Sequence, residues 1–423
     1  MNQTPFWVDD HPRPRNITSE LPPQADVAII GSGLTGLTAA LRLARGGKTV
    51  VVVDSGEIAS GASSINGGMV SPDIKAGIQV IFAQHGPELG RAMWQATVRS
   101  VEIVSELAAA EAIDARIVRR GMAALGSNQA TRAKFEASVA WYRENVGVDW
   151  EVLGEDRIGE VVGGNHFTSA LFEPEGMGIH PARFVFGIAE RAATAGAILV
   201  EQCQARSFDR DGSGFRVHTA KGVVTAGDVV LATNGYTTAE PSPELASGVV
   251  PVGSYIIVTE PLGHRAAAAI FPGGAMTYTK KRLLNYMRRT PDDRILIGGR
   301  RNLHTGLDLE ESAADLHRRL LGFFPDLEGV PITHAWGGKL GVTFDLVPHM
   351  GQVDGAWYAL GYAGHGVGLS TLMGHDLAGM LLGEEPPSVF TKVPHPRRFY
   401  YRRNPWFLTP ASLLYRALDR LNR

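Results

Sequence analysis

The run Gly31-Ser32-Gly33-Leu34-Thr35-Gly36 constrains this chain more than any other feature of it. It follows an apolar stretch, DVAII from Asp26, and opens a segment from Leu34 to Arg45 with helical periodicity. A second apolar run, TVVVV from Thr49 to Val53, then ends at Asp54. Strand, glycine turn, helix, strand and acid in this order predict a compact βαβ unit. Gly31 permits the tight turn, Gly33 lets the backbone approach a pyrophosphate, and Gly36 lets the helix lie close on the strand. The helix start offers unpaired N–H groups and a positive dipole end to phosphate. A carboxylate at Asp54 accepts both hydrogen bonds of an adenosine ribose and repels a 2′-phosphate, which disfavours NADP.

With 423 residues the chain exceeds one ordinary core and reads as two domains. A net charge of −2 gives no reason to expect a nucleic-acid partner. The single cysteine, Cys203, leaves no intramolecular disulfide and no thiolate cluster, which fits a reducing cytoplasm, and it falls in a strand-like stretch where it reads as a small buried apolar residue. The thirteen histidines show no paired helical spacing suited to a metal, and no Gly-x-Ser-x-Gly elbow marks a serine hydrolase. The start, MNQTPFWVDDHPRPR, does not read as a secretory signal, and no apolar run approaches the roughly 20 residues of a membrane span.

Polar, Pro-rich residues 1–24 predict an extended arm. Residues 78–150 are Ala-rich with Val98, Val101, Ile103, Val104 and Leu107 at helical spacing, and predict amphipathic helices of a second layer. A helix and strand follow over Pro181–Val200, and DVVLAT from Asp228 is a buried-type strand. SYIIVTE and RILIGG predict a sheet between Val249 and Gly299, and Trp357–Leu382 reads as strand, glycine turn and helix. Beyond Pro387 a tail carries eight Lys and Arg and one Asp, interleaved with Trp406, Phe407, Leu413, Leu414, Tyr415 and Leu418. Such a tail either lies on an anionic membrane surface or packs its apolar face on its own protein while the arginines stay solvated; the second reading is favoured.

After Asp54 the segment GEIASGASSINGGMV, dense in Gly, Ser and Asn, suits an irregular loop whose amides, with Ser63 and Asn66, face phosphate and ring atoms; a nicotinamide dehydrogenase does not need it. GSGLTG with Asp54, GASSINGG, HPARFVFGIAERAATAGA from His180, VVLATNGYT from Val229, RILIGG, WGGKLGVTFDLVPHMG from Trp336 and GYAGHGVGLSTLMGHDLA from Gly361 occur here in one order along nearly the whole chain. In that order they resemble the FAD-dependent amine and amino-acid oxidoreductases of the D-amino-acid oxidase, glycine oxidase and sarcosine oxidase superfamily. With an early Phe-Trp and a late Pro-Trp-Phe-Leu, the pattern is most similar to the gamma-glutamylputrescine oxidoreductase-like branch.

The resemblance implies an α/β fold, α+β overall: a Rossmann-type FAD-binding domain with a discontinuous sheet-based substrate domain, of the glutathione-reductase-like and D-amino-acid-oxidase-like kind. Residues 25–75, 170–245 and 340–385 would form the FAD domain, 76–169 and 246–339 the substrate domain, and 386–423 the tail. It also implies FAD contacts at Gly31, Gly33, Leu34, Thr35, Asp54 and Ser55, then at Gly61, Ala62, Ser63, Asn66, Gly67 and Gly68. Ala205 would meet the adenine, Thr233, Asn234 and Gly235 would lie along the cofactor, and Gly364, His365, Gly366, Val367 and Gly368 would lie at the pyrimidine end of the flavin. A helix starting after Gly366 would aim its positive end at flavin N1 and C2=O. The loop has no His, so the FAD is expected to be non-covalent.

The family reaction is hydride transfer from the carbon beside a neutral amine to flavin N5, giving an imine that water hydrolyses, with reoxidation by O2 to H2O2. No dedicated acid or base is demanded; His365, Lys339, Trp336 and Tyr255 are the candidates near the chemistry. Two arginines that hold a substrate carboxylate in glycine oxidase-like members are replaced here by Leu340 and Gly364, with Arg288, Arg289 and Arg300 as substitutes. This favours a primary or secondary amine held by its chain among Trp94, Tyr255, Tyr278, Tyr286 and Trp336. Amino-acid or N-methyl amino-acid oxidation, and a flavoprotein subunit passing electrons to a partner, stay open. The expected partners are a small-molecule amine and O2 or another acceptor, without nucleic acid or metal.

Overall fold

The computed structural model describes residues 1–281, 283–300, 302–306, 308–398, 400–401 and 405–421, the side chains of 415–417 and 419–421 excepted. Strand Gln24–Ile30 is the centre of the first sheet, with parallel neighbours Val50–Val53 on one side and the far half of Gly222–Leu231 on the other. Val27 to Ile30 and all of Val50–Val53 are buried, as continuous apolar runs in a parallel sheet covered on both faces must be. Ile198–Val200 closes one side and Ala356–Leu360 with His349–Val353 the other, while the hairpin Ala205–Asp211 and Gly214–Thr219 extends from Gly222–Leu231. Helices Leu34–Arg45, Pro181–Thr194 and Gly366–Leu382 pack on this sheet and on one another.

Among the described residues the second sheet has eight strands. Its order is Ile332–Thr343, Val249–Thr259, Ile295–Gly299, Asn285–Arg289, Met276–Thr279, Met122–Gly126, Ser169–Glu173 and Glu151–Leu153. The two long strands pair antiparallel from Val249↔Thr343 to Thr259↔Ile332. They carry the chain from the first sheet's rim into the second, so the architecture is discontinuous in sequence.

Two segments sit differently from the boundaries drawn above. Ser169–Glu173 pairs with Met122–Gly126 in the second sheet. The helical segment Ile78–Ala110, kinked at Gly86 and Pro87, packs on Gly366–Leu382 of the first layer; a side chain at Gly368 would meet the Ser100 carbonyl at 2.8 Å. Its apolar stripe therefore serves the nucleotide layer, which periodicity alone does not distinguish from service to the other.

The N-terminal arm is not simply extended. Phe6–Asp10 is a short helix with Phe6 and Trp7 buried, and Asn2 bridges to the second sheet through Thr333 and Ala335. Two large aromatic side chains outweigh the polar, Pro-rich composition around them. Cys203 is buried in the loop between Val200 and Ala205, not in a strand. At the C-terminus Phe407, Leu408 and Ala411 pack with Val250, Val252 and Phe344, in line with an apolar face turned onto the protein itself, while Trp406, Leu413 and Leu414 are exposed. Among the described residues no helix is long and apolar enough to cross a membrane.

Candidate active site

One cavity of about 920 Å³ runs from Asp54 and Ala205 past the glycine turn to the second sheet. At its start Gly31 has φ +107°, and a Cβ there would lie 2.8 Å from the Ala232 carbonyl. Only glycine meets both demands. At Gly36 a Cβ would fall 2.0 Å from the Gly31 carbonyl, so the turn and the helix close on each other. Helix Leu34–Arg45 has no capping side chain of its own residue Gly33; instead Ser63 Oγ accepts from Leu34 N–H at 3.0 Å. The remaining first-turn donors stay available to an anion. This cradle suits a pyrophosphate.

Asp54 is held in place before any ligand arrives. Its Oδ2 accepts from the Ser32 N–H at 2.8 Å and the Ser32 hydroxyl at 2.6 Å, and its Oδ1 accepts from the Gly56 N–H at 2.9 Å. Cys203, Gln204 and Ala205 line the same end of the cavity.

Of the residues singled out in sequence, Gly31, Gly33, Leu34, Thr35, Asp54 and Ser55 line the cavity, as do Gly61, Ala62, Ser63, Asn66 and Gly67. So do Ala205, Thr233, Asn234, Gly364, His365, Gly366 and Val367. Three of the expected glycines do not. Gly68, at φ +67°, packs against Ile179 and Arg288, Gly235 against Leu340 and Gly341, and Gly368 against Ser100. The side chains of Asn66 and Asn234 are also spent locally. Asn66 bonds Ala62, Ser63 and Gly68, and Asn234 Oδ1 accepts from the Gly361 N–H, so both shape loops rather than face outward.

Helix Gly366–Leu382 begins at the cavity, with His365 at its N-cap. Burial, with Lys75 and Lys280 nearby, pushes the imidazole down to about 3, so it is neutral at pH 7, and its buried Nδ1 lacks a partner. Tyr362, from the same turn, bonds Thr35 Oγ1 at 2.6 Å and ties the two glycine turns together.

Trp336 lines the cavity and donates to the Ile65 carbonyl at 2.7 Å. Lys339 lines its mouth, exposed, with Nζ 5.6 Å from the Tyr236 ring centroid. Tyr255 does not reach the cavity. Along Val249–Thr259 it is Ser254 and Ile256 that face the cavity, while Tyr255 turns into the core behind and donates to the Thr305 carbonyl, as strand alternation requires. Trp94 likewise stacks edge-on with Tyr142 and Trp150 in the core. Tyr278, Tyr286, Leu340 and Arg300 line the cavity, whereas Arg289 pairs with Asp293 and Arg288 is fully buried outside it.

The sequence reading missed the polar end of the cavity. Asp73, Lys75, Tyr142, Glu173 and Lys280 all line it. Burial raises Glu173 to about 8, with Asp73 adding to the rise, and burial raises Asp73 to about 6. Burial, with Arg300 adding, lowers Lys75 to about 8. Glu173 accepts from the Tyr278 hydroxyl at 3.0 Å. A lone carboxylate ending the apolar strand SALFE was the available signal.

The family described as FAD dependent oxidoreductase (DAO) matches residues 26–380. The chain is 31% identical over 372 residues to gamma-glutamylputrescine oxidoreductase of Escherichia coli strain K12, covering 88% of this chain and 87% of that protein. It is 29% identical over 393 residues to the probable oxidoreductase OrdL of Haemophilus influenzae, covering 90% of each. Among solved structures it resembles glycine oxidase from Geobacillus kaustophilus, with a TM-score of 0.76 at 22% identity over 90% of this chain and 100% of that one. With the cradle and these matches together, the chain belongs to the DAO family of FAD-dependent oxidoreductases, and FAD is the cofactor that its glycine turn and loops are built to hold.

Proposed function

We propose that this enzyme oxidises the C–N bond of a primary or secondary amine that carries no α-carboxylate at the position glycine oxidase-like members use. The observation that carries this reading is the composition of the cavity beyond the cradle. Leu340 and Gly364, which on the resemblance replace the carboxylate-binding arginines, line that cavity, and the carboxyl groups of Asp73 and Glu173 line the wall with Tyr142, Tyr278, Tyr286 and Trp336. Carboxyl groups accept hydrogen bonds from an amine N–H, and aromatic faces attract a second, charged amine further along the substrate chain. FAD, when bound, would supply the redox chemistry, as the hydride acceptor for the carbon beside the amine, and the resulting imine would be hydrolysed by water.

For this chain's own residues the task is to bind and to keep the amine neutral. Lys75, Lys280 and Arg300 line the cavity, and their positive field disfavours a second cation near them, which favours the unprotonated amine. We infer that FAD is held without a covalent link and through the cavity-lining residues of the two glycine turns and the 61–67 loop, and that O2 reoxidises it to give H2O2. The chain's similarity to gamma-glutamylputrescine oxidoreductase supports an amine substrate.

A second reading has one observation in its favour. Arg300 lines the cavity from the second sheet, where its planar fork suits a carboxylate, so an amino acid held from that side is the alternative. Anaerobic addition of a panel of monoamines, diamines, N-methyl amines and α-amino acids decides between them. Bleaching of the flavin by amines supports the proposal, and bleaching by α-amino acids alone would sink it. Peroxide formation on readmission of air is expected; slow reoxidation would point to an electron-accepting partner.

A further inference from the structure

Four consecutive carbonyls, Ile65 to Gly68, each accept a hydrogen bond from a side chain outside their loop. Trp336 Nε1 donates to Ile65 at 2.7 Å and Trp7 Nε1 donates to Asn66 at 2.8 Å. Arg288 Nη1 donates to Gly68 at 2.8 Å, to Ile179 at 2.8 Å and, at a longer 3.4 Å, to Gly67. Space for the guanidinium is made by glycines: a Cβ at Gly68 would lie 2.6 Å from Nη1, and one at Gly178 would lie 3.1 Å from Nη2.

Arg288 is an unusual cation. Its side chain is 0% exposed, the Trp7 ring centroid lies 5.4 Å from its Cζ, and among the described residues no carboxylate lies within ion-pair distance. Burial alone lowers it to about 10, so it is charged at pH 7. A buried charge without a counter-ion is costly, and backbone carbonyls offset only part of that cost. A negative group brought to the far side of the loop would offset more.

The loop's own course says which group that is. Ser63 touches the start of helix Leu34–Arg45, the phosphate end, whereas a Cβ at Gly67 would lie 2.7 Å from the Tyr286 ring of the second sheet. Ile65, Asn66 and Gly67 line the cavity while Trp7 and Arg288 do not. The pinned carbonyls therefore lie toward the sheet junction, the ring end of the cofactor's path, with a fixed positive charge behind them.

We propose that Arg288 is a positioning residue that holds the Ile65–Gly68 loop against Trp7 and keeps a positive charge behind it, favouring the anionic reduced flavin over the neutral oxidised one. This rests on FAD as the cofactor and not on the identity of the amine, so it stands or falls apart from the substrate proposal.

The test uses the full-length FAD-loaded protein and two readouts that need no substrate. Sulfite adds to flavin N5, its lone pair forming the S–N bond and its charge passing to the ring as an anionic, reduced-type adduct; the midpoint potential reports the same preference. Arg288→Met is expected to weaken sulfite binding on the order of tenfold and to lower the two-electron midpoint by about 30 mV for each tenfold. Arg288→Lys keeps the charge and should stay within about threefold of the parent. Trp7→Phe removes one loop bond but no charge; it should lower the melting temperature and leave both readouts in place. Parent-like sulfite affinity and potential in FAD-loaded Arg288→Met overturn the proposal, and so does an equal shift in Trp7→Phe. Should Arg288→Met not retain FAD, Arg288→Lys decides: a tenfold loss of sulfite affinity with FAD bound overturns it, and near-parent affinity upholds it.

Discussion

The Tyr278 hydroxyl donates to Glu173 Oε1 across 3.0 Å inside the cavity wall, and that carboxyl has no ion-pair partner among the described residues. Burial and the neighbouring Asp73 raise Glu173 to about 8 from an ordinary 4.5. Between roughly pH 5 and 8 the folded protein thus keeps a proton that the unfolded chain has released, so stability falls as pH rises through that window. Glu173→Gln removes the titration. Thermal unfolding of the apoprotein should show the variant gaining on the parent by on the order of 2 kcal/mol between pH 6 and 8. An unchanged difference across those pH values would show that Glu173 is ionised when the cavity is empty.

The same residue should matter to the substrate through KM. A cationic diamine beside Glu173 draws its carboxyl into the ionised form, and a buried hydrogen bond to a charged group contributes about 1.5–3 kcal/mol, so Glu173→Gln, which cannot ionise, should raise KM for such a diamine roughly tenfold or more while kcat changes little. An equal fall in kcat at constant KM would instead place Glu173 beside the reacting carbon.

At the glycine turn the prediction is all-or-none. Gly31→Ala forces a Cβ to 2.8 Å from the Ala232 carbonyl at φ +107°, costing on the order of 1–3 kcal/mol in backbone strain before any clash. The variant should purify without the yellow of bound flavin. Gly159→Ala, where a Cβ meets nothing within 4 Å, is the control and should keep its FAD.

How far the sequence alone reaches is plain from these two ends of one cavity. The glycine turn is legible because its demands are local: Gly31, Gly36 and Asp54 lie within one βαβ unit, and their spacing encodes the contact. Glu173 and Lys280 are far apart in the chain and line one cavity because Ser169–Glu173 and Met276–Thr279 flank Met122–Gly126 in the second sheet, and Asp73 joins them from the loop after Met69–Val70, an arrangement no local pattern announces. Tyr255 failed for a related reason. Its residue type suits a pocket, but a strand's two faces are told apart only once the partners are known, and the cavity-facing positions were Ser254 and Ile256.

In the C-terminal segment a buried histidine sets a second pH dependence. His395 stacks on His349 with ring centroids 4.8 Å apart, bonds the Gly248 carbonyl, and leaves Nδ1 buried without a partner. Burial and the neighbouring His349 lower it to about 4 from 6.5. Below pH 6.5 the unfolded chain binds a proton that the folded one refuses, so stability is intact above that pH and declines as pH falls toward 4. His349 is itself fixed between the Val393 carbonyl and Asp345, and a Cβ at Gly248 would lie 2.5 Å from the His395 ring. Protonation of His395 therefore strains the contact of this segment with the rim of both sheets. His395→Gln should flatten the loss of melting temperature between pH 6.5 and 4, at the cost of somewhat lower stability at pH 7. Parallel curves for the two proteins would assign acid sensitivity elsewhere, with His180, lowered by burial to about 4 despite its bond to Asp10, the next group to replace.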